Sequence, residues 1–350
     1  MLIVALDGGI FRALLQARLL ERLSDEVPGW LTRVQFFAGS SMGAVTAAYA
    51  AKTGGVKGLA QTYAKNGPLI FRRREFYGQQ SGPPSEKATY DQAGLLKVLR
   101  SLFSDYETLG ELYAKCMVTT FSLDNRGAKQ PRTWQAKYYD NWDQGSVDSQ
   151  TRILDLLRRS TAVPGYFPSY QGHLSGAVVD SNPAAAALAK AVAEGFCTDS
   201  HSALMADVRG YLGTLHLPLA NAYAQQIKKA SGDRIRLLSV GTGLSPAFVE
   251  GDNLDLGRRE WAKDRTLTRA LMDGKAGPPD YICRKLLGED YRRLQPVLPC
   301  EIRHDDHEAA EKLLEVADAV DISEVVDWLR ERTRPQEQHN GVFAEPKDQA

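Results

Sequence analysis

Phe36-Phe37-Ala38-Gly39-Ser40-Ser41-Met42-Gly43-Ala44-Val45-Thr46-Ala47-Ala48-Tyr49-Ala50 is the stretch on which the reading of this chain turns. An apolar, β-prone run leads into a serine with glycines two positions before and two after it, and an alanine-rich helical run follows. A serine on a sharp strand-to-helix turn needs residues without a Cβ at those two places, because the backbone folds back tightly there. Gly39 and Gly43 meet that need. The expected local structure is a nucleophile elbow, with the Ser41 hydroxyl aimed away from the sheet and the positive end of the following helix beside it. Ser41 is therefore the candidate nucleophile.

Upstream, Leu2 to Leu6 reads as a first buried strand. Asp7-Gly8-Gly9-Ile10-Phe11-Arg12 follows, then a helix with Leu15, Leu19 and Leu23 at i+4 spacing. Strand, glycine turn, helix, strand, elbow and helix in that order predict an α/β fold with a mainly parallel central sheet covered by helices on both faces. Acyl transfer from a serine also needs donors for the oxyanion, and the backbone amides of Gly8 and Gly9 stand where they can converge near the elbow. A glycine pair before a helix can cradle phosphate instead, but neither G-x-x-x-x-G-K-[ST] nor G-x-G-x-x-G follows, so the oxyanion reading is preferred. Arg12 opens the helix, where it either fixes the loop or meets an anionic substrate group.

Downstream, Cys116 to Phe121 and Arg234 to Val240 read as strands, the second ending in Gly241-Thr242-Gly243. Thr151 to Ser160 and Glu308 to Arg332 read as helices. The pattern predicts a single domain over residues 1–332, with 63–150 and 195–232 as helical or loop insertions capping the site, and a disordered polar tail over 333–350. Arg72-Arg73-Arg74 sits in the first insertion. It is either a solvated loop or part of a cap that meets anionic head groups and presents Phe71, Phe76 and Tyr77 to a lipid surface.

Composition narrows the partners. The 350 residues carry 43 basic and 43 acidic side chains, so the overall balance gives no sign of nucleic-acid binding. Cys116, Cys197, Cys283 and Cys300 lie far apart, with neither metal-ligand spacing nor a dense disulfide framework, and a reducing cytoplasm is the expectation. The opening apolar run is short and has no basic leader, and no run of about 18 apolar residues is present to span a bilayer. Any membrane contact is expected to be peripheral.

These residues carry a resemblance. Asp7-Gly8-Gly9-Ile10-Phe11-Arg12 resembles the glycine-rich oxyanion motif of the patatin-like phospholipases, and Gly39-Ser40-Ser41-Met42-Gly43 their nucleophile motif. Ser160-Thr161-Ala162-Val163-Pro164-Gly165-Tyr166-Phe167-Pro168 is similar to the family's Ser-Ala-Ala-Pro-x-x-Phe-Pro loop. Ser175-Gly176-Ala177-Val178-Val179-Asp180-Ser181-Asn182-Pro183-Ala184 resembles its Asp-Gly-Gly/Ala segment, and Leu237 to Gly243 its later Gly-Thr-Gly strand. The resemblance spans roughly residues 1 to 245. It implies a three-layer patatin-like fold and a serine–aspartate dyad without histidine, acting on acyl lipids: phospholipid, lysophospholipid, galactolipid or a simpler ester. On that resemblance Ser41 attacks the ester carbonyl and Gly8 and Gly9 hold the oxyanion, with no metal and no cofactor.

The sequence departs from the family in two places. Ile10 and Ala13 stand where glycines are usual. More seriously, alignment on Gly176-Ala177-Val178 puts Ser175 where the dyad aspartate belongs, and a serine hydroxyl is no general base near neutral pH. Three explanations stay open: an inactivating substitution in an otherwise working hydrolase, a silent lipid-binding or scaffold protein, or a base relocated to Asp180, whose competing role is to cap the next helix. His173 is expected to be a loop residue. His304 and His307, with Asp305 and Asp306 between them, are expected to be solvated charges at a helix start rather than metal ligands.

Overall fold

The computed structural model describes residues 1–74, 87–126, 131–196, 234–246, 248–252, 255–263 and 266–331. Its centre is a seven-stranded sheet in the order β4-β3-β2-β1-β6-β7, with β5 also paired to β3. The strands are β1 Leu2–Leu6, β2 Phe36–Ser40, β3 Lys115–Ser122, β4 Gln135–Asp140, β5 His173–Ser175, β6 Arg236–Val240 and β7 Tyr291–Leu294. β3, β2, β1, β6 and β7 run parallel, and β4 and β5 run antiparallel to β3.

Every residue of β1, β2 and β6 is buried, as expected of strands covered on both faces. Alternation along β1 separates two cores. Leu2, Val4 and Leu6 join Phe37, Cys116 and Val118 against α1 Ala13–Glu26, α2 Met42–Thr53 and α5 Ile153–Ser160. Met1, Ile3 and Ala5 join Phe36, Ala38 and Met117 on the other face, against α6 Ala184–Ala193 and Cys283 and Leu287 of a second helix, Gly277–Leu287. The mostly parallel sheet with helices on both faces is the α/β architecture expected from the alternating pattern.

The stretch 63–150 corrects the expectation of an insertion. It supplies most of α3 Leu59–Ile70, all of α4 Ala93–Leu102, and the strands β3 and β4. Cys116 to Thr120 are buried in the middle of the sheet, so this segment belongs to the body of the fold. Phe71 is likewise not offered to a lipid surface: it is 5% exposed, and its ring packs edge-on against Phe11 and Tyr90. Phe76, Tyr77, nearly all of 195–232 and the tail from 333 lie outside the described residues. Glu308 to Arg332 divides into two helices, Ala310–Ala319 and Ser323–Glu331, separated by the extended residue Val320. Among the described residues no helix is long and apolar enough to cross a membrane.

Candidate active site

All the candidate residues gather at the carboxyl end of the parallel strands, where backbone leaves the sheet and polar groups need new partners. At the end of β2, Ser41 takes φ 53° and ψ −127°, a combination that costs an L-residue on the order of 1–3 kcal/mol and survives only when its surroundings enforce it. The two glycines do the enforcing. A Cβ on Gly39 would stand 2.4 Å from Ala44 Cα, and one on Gly43 would stand 2.4 Å from the carbonyl oxygens of both Leu6 and Asp7. The elbow is thereby wedged against the end of β1.

Support comes from α5. Ser160 Oγ accepts the Ser41 N–H at 3.0 Å and donates to the Thr119 carbonyl at 2.8 Å, which ties the elbow to β3. Ser41 is 1% exposed, and its Oγ is buried without a hydrogen-bond partner among the described residues. A buried hydroxyl without a partner costs free energy, and this one is free of the hydrogen bonds that hold the groups around it.

The turn after β1 lies against the elbow. A Cβ on Gly8 would be 3.1 Å from Ser41 Cβ and 3.0 Å from Ala177 Cβ, so all three border one small space. Gly8 needs a correction as an oxyanion donor. Its N–H is donated to the Ser181 carbonyl at 2.8 Å, because the segment after β5 runs past this turn and takes up the first free amide. In this turn the amides of Gly9 and Ile10 have no backbone acceptor among the described residues. Ile10 sits at φ 50°, a left-handed backbone that is unfavourable for a β-branched residue.

Two buried charges anchor this turn. Asp7 meets Arg293 of β7 in a bidentate pair, with Nη1 to Oδ1 at 2.8 Å, and Arg293 also donates to Ser239 Oγ at 2.6 Å. Burial works against charge on Arg293, but the Asp7 carboxylate holds its pKa above the ordinary value. Arg12 is fully buried and donates to the Gly243 carbonyl at 3.2 Å and to Asp273 at 2.9 Å, with His304 Nε2 in contact. Its place is structural: it ties the glycine turn to the Gly241–Gly243 loop. The solvated reading of the 304–307 cluster is overturned. His304 and Asp305 are buried, Asp305 accepts from Tyr90 Oη at 2.8 Å, and the His307 ring meets that of Phe71. Sequence reasoning had no signal for this, since the partners lie 261 to 292 residues from Arg12.

Position 175 is where pairing register places it beside the elbow. Ser40 is paired with Thr119, and Ser175 with the next residue of β3, Thr120, so β5 continues along the edge that β2 leaves at Ser41. Ser175 is wholly buried, and its Oγ accepts the Ala177 N–H at 3.3 Å, capping its own turn. His173, expected in a loop, is the first residue of β5.

Asp180 is differently placed. Its carboxyl accepts from Tyr138 Oη at 3.2 Å, and its backbone carbonyl accepts from Ser40 Oγ at 2.7 Å. Tyr138 packs with Phe36 and Ala38 on the α6 face, whereas Ser175 shares its facing with Thr120 and Val118 on the α2 and α5 face. Burial, opposed by the Tyr138 hydrogen bond and reinforced by Asp7, pushes the Asp180 carboxyl up to about 7, and Tyr138 is pushed up to about 12 by burial and by that carboxylate. Among the described residues the Ser41 hydroxyl makes no hydrogen bond to it. Nor does its side chain cap α6, since Ala184 N–H is accepted by Asn182 Oδ1 at 3.1 Å.

Comparison with known proteins identifies the family. CotR of Bacillus subtilis (strain 168), named a "putative sporulation hydrolase", is 24% identical over 325 residues, covering 85% of this chain and 87% of its own. Protein teg of Priestia megaterium is 24% identical over 326 residues, covering 85% and 88%. The crystal structure of VipD from Legionella pneumophila aligns with 90% of this chain and 66% of its own at 11% identity, with a TM-score of 0.32, too low to carry an argument. The patatin-like phospholipase model matches residues 4–188, from β1 through the elbow and β5 into α6. With just over half of its residues inside that match, the chain belongs to the patatin-like phospholipase family, a membership that supports a lipid-hydrolase kind of function.

Proposed function

We propose that this chain is a lipid acyl-ester hydrolase site of patatin type, complete except for its base. In this reading Ser41 Oγ attacks the acyl carbonyl. The oxygen that gains charge meets the Gly9 and Ile10 amides, with the positive end of α2 beside it. The hydroxyl proton needs an acceptor, and a side chain at position 175 is the one that register brings to the elbow. An aspartate there would reach one bond farther than Ser175 and carry the charge that serine lacks. The substrate class is an acyl lipid, met peripherally at a membrane or micelle surface.

The observation that carries this reading is the Ser41 Oγ: strained backbone beneath it, unspent amides beside it, and no partner of its own. A second reading, a lipid-binding or scaffold protein without turnover, is favoured by the Ser175 hydroxyl, which is already committed to the Ala177 amide. Hydrolysis of short- and long-chain p-nitrophenyl esters and of lysophospholipid micelles separates the two. The chain as it stands should run near background, and Ser175→Asp should raise the rate by roughly 10²- to 10⁴-fold, the usual contribution of a general base. The gain should vanish in Ser41→Ala/Ser175→Asp. A folded Ser175→Asp protein with no gain favours the binding reading, and native activity lost in Asp180→Asn would move the base to Asp180.

A further inference from the structure

The sheet face that carries Ser175 continues outward into a groove of about 400 Å³. Ser122, Arg126, Lys137, Tyr139, Arg159 and His173 line it. Register accounts for the gathering. Thr120 is paired with both Lys137 and Ser175, and Ser122 with His173, so these side chains share one face. Two residues along a strand place His173 roughly 7 Å from Ser175.

The lining of this groove carries three cations and one carboxylate, Asp124. Arg159 spends its donors on neutral acceptors: Nε on Gln171 Oε1 at 2.9 Å and Nη1 on Tyr139 Oη at 3.1 Å. No carboxylate lies within ion-pair distance of it among the described residues, and the Asp155 carboxylate, one turn back on α5, interacts with its charge from farther off. Arg126 is exposed, and the Asp124 carboxylate, which also lines the groove, is held by Arg132 and accepts the Arg126 backbone N–H at 3.0 Å. Lys137 is ion-paired with Asp148 at 2.8 Å. The His173 ring is fixed by the Gln171 carbonyl at 3.0 Å and Tyr139 Oη at 3.2 Å. Burial first, then Arg159, Arg126 and Lys137, hold its pKa below the ordinary value, so all three cations act on one ring. Such a field costs free energy until an anion enters it.

We propose that this groove binds a phosphate-type oxyanion through Arg126, Arg159 and Lys137, with His173 at its floor. On the hydrolase reading, on which this second step rests, it seats the phosphate of a lipid head group while the acyl chain lies at Ser41. Guanidinium forks suit phosphate oxygens, and the groove has room for a phosphorylated glycerol.

The test uses the full chain in about 0.15 M salt, where long-range surface attraction is screened. Inorganic phosphate and glycerol 3-phosphate are titrated calorimetrically, and cosedimentation is measured with phosphatidylcholine vesicles with and without phosphatidic acid. Arg126→Gln/Arg159→Gln should weaken binding about tenfold or more, as expected for lost charge-assisted hydrogen bonds, and Lys97→Gln, an exposed cation on α4, should leave it unchanged. Arg126→Gln alone, at an exposed position, should show a several-fold loss if replacing Arg159 disturbs folding. Binding of the soluble phosphates identifies a free-phosphate source, and binding of acidic vesicles alone identifies a lipid head group. Either sustains the site. No binding in any arm, or equal loss in Lys97→Gln, overturns it. None of these readouts depends on turnover, so an inert esterase would leave the result intact.

Discussion

The two halves of the candidate site are held by different means. On the elbow side, Ser41 is fixed by backbone packing: Gly39 against α2, Gly43 against the end of β1, and Ser160 beneath. Between residues 175 and 180, by contrast, the positions are fixed but the chemistry is redirected. Ser175 caps its own turn, and Asp180 faces Tyr138 on the other side of the sheet. Steric constraints of the first kind do not depend on which side chain stands at position 175, so the elbow keeps its shape whatever that residue does. Four substitutions probe this contrast, the largest expected effect first.

On the proposed function, Ser175→Asp should have the largest effect, and a roughly 10²- to 10⁴-fold gain in ester hydrolysis would correspond to about 3–5 kcal/mol of transition-state stabilisation. Arg293→Met tests the anchoring of the assembled half. It would leave Asp7 buried without its cation, and urea denaturation should register a loss of about 3–5 kcal/mol.

Asp180→Asn asks whether that carboxyl is a cost to the fold rather than part of the site. Its folded pKa of about 7 lies above the roughly 3.9 of an unfolded aspartate, so the native state favours the neutral form. The penalty is absent below about pH 4, grows through the interval between the two values and is complete above about pH 7. Relative to wild type, Asp180→Asn should therefore be more stable at pH 8 than at pH 4, by no more than about 4 kcal/mol, and equal differences at the two pH values would refute the assignment. Ser160→Ala should be the mildest. Removing a hydroxyl that serves both the Ser41 amide and the Thr119 carbonyl should cost about 1–3 kcal/mol in thermal unfolding, with the sheet intact.

Much of the site was legible in sequence because it is local. The spacing of Gly39, Ser41 and Gly43, the apolar run before them and the alanine run after them specify an elbow without reference to the rest of the chain. Position 175 was legible too, through the run Gly176-Ala177-Val178. What local pattern could not show was the use of each group. The Gly8 amide looked free until the Ser181 carbonyl met it. Asp180 was a base by proximity in sequence, yet one parity step along the sheet put its partner on the opposite face.

Sequence by itself determined the parallel α/β order of β1, the glycine turn and the elbow, because hydrophobic run length and glycine spacing act within a few residues. Tertiary structure alone decided that Arg12 is a buried tie to Asp273 and the Gly243 carbonyl, that β3 and β4 within 63–150 belong to the central sheet, and that β5 takes up the edge β2 abandons at Ser41. Those outcomes depend on which distant backbone satisfies an exposed strand edge and which carboxylate desolvates with which cation. Such choices are made across hundreds of residues, where no periodicity in the chain records them.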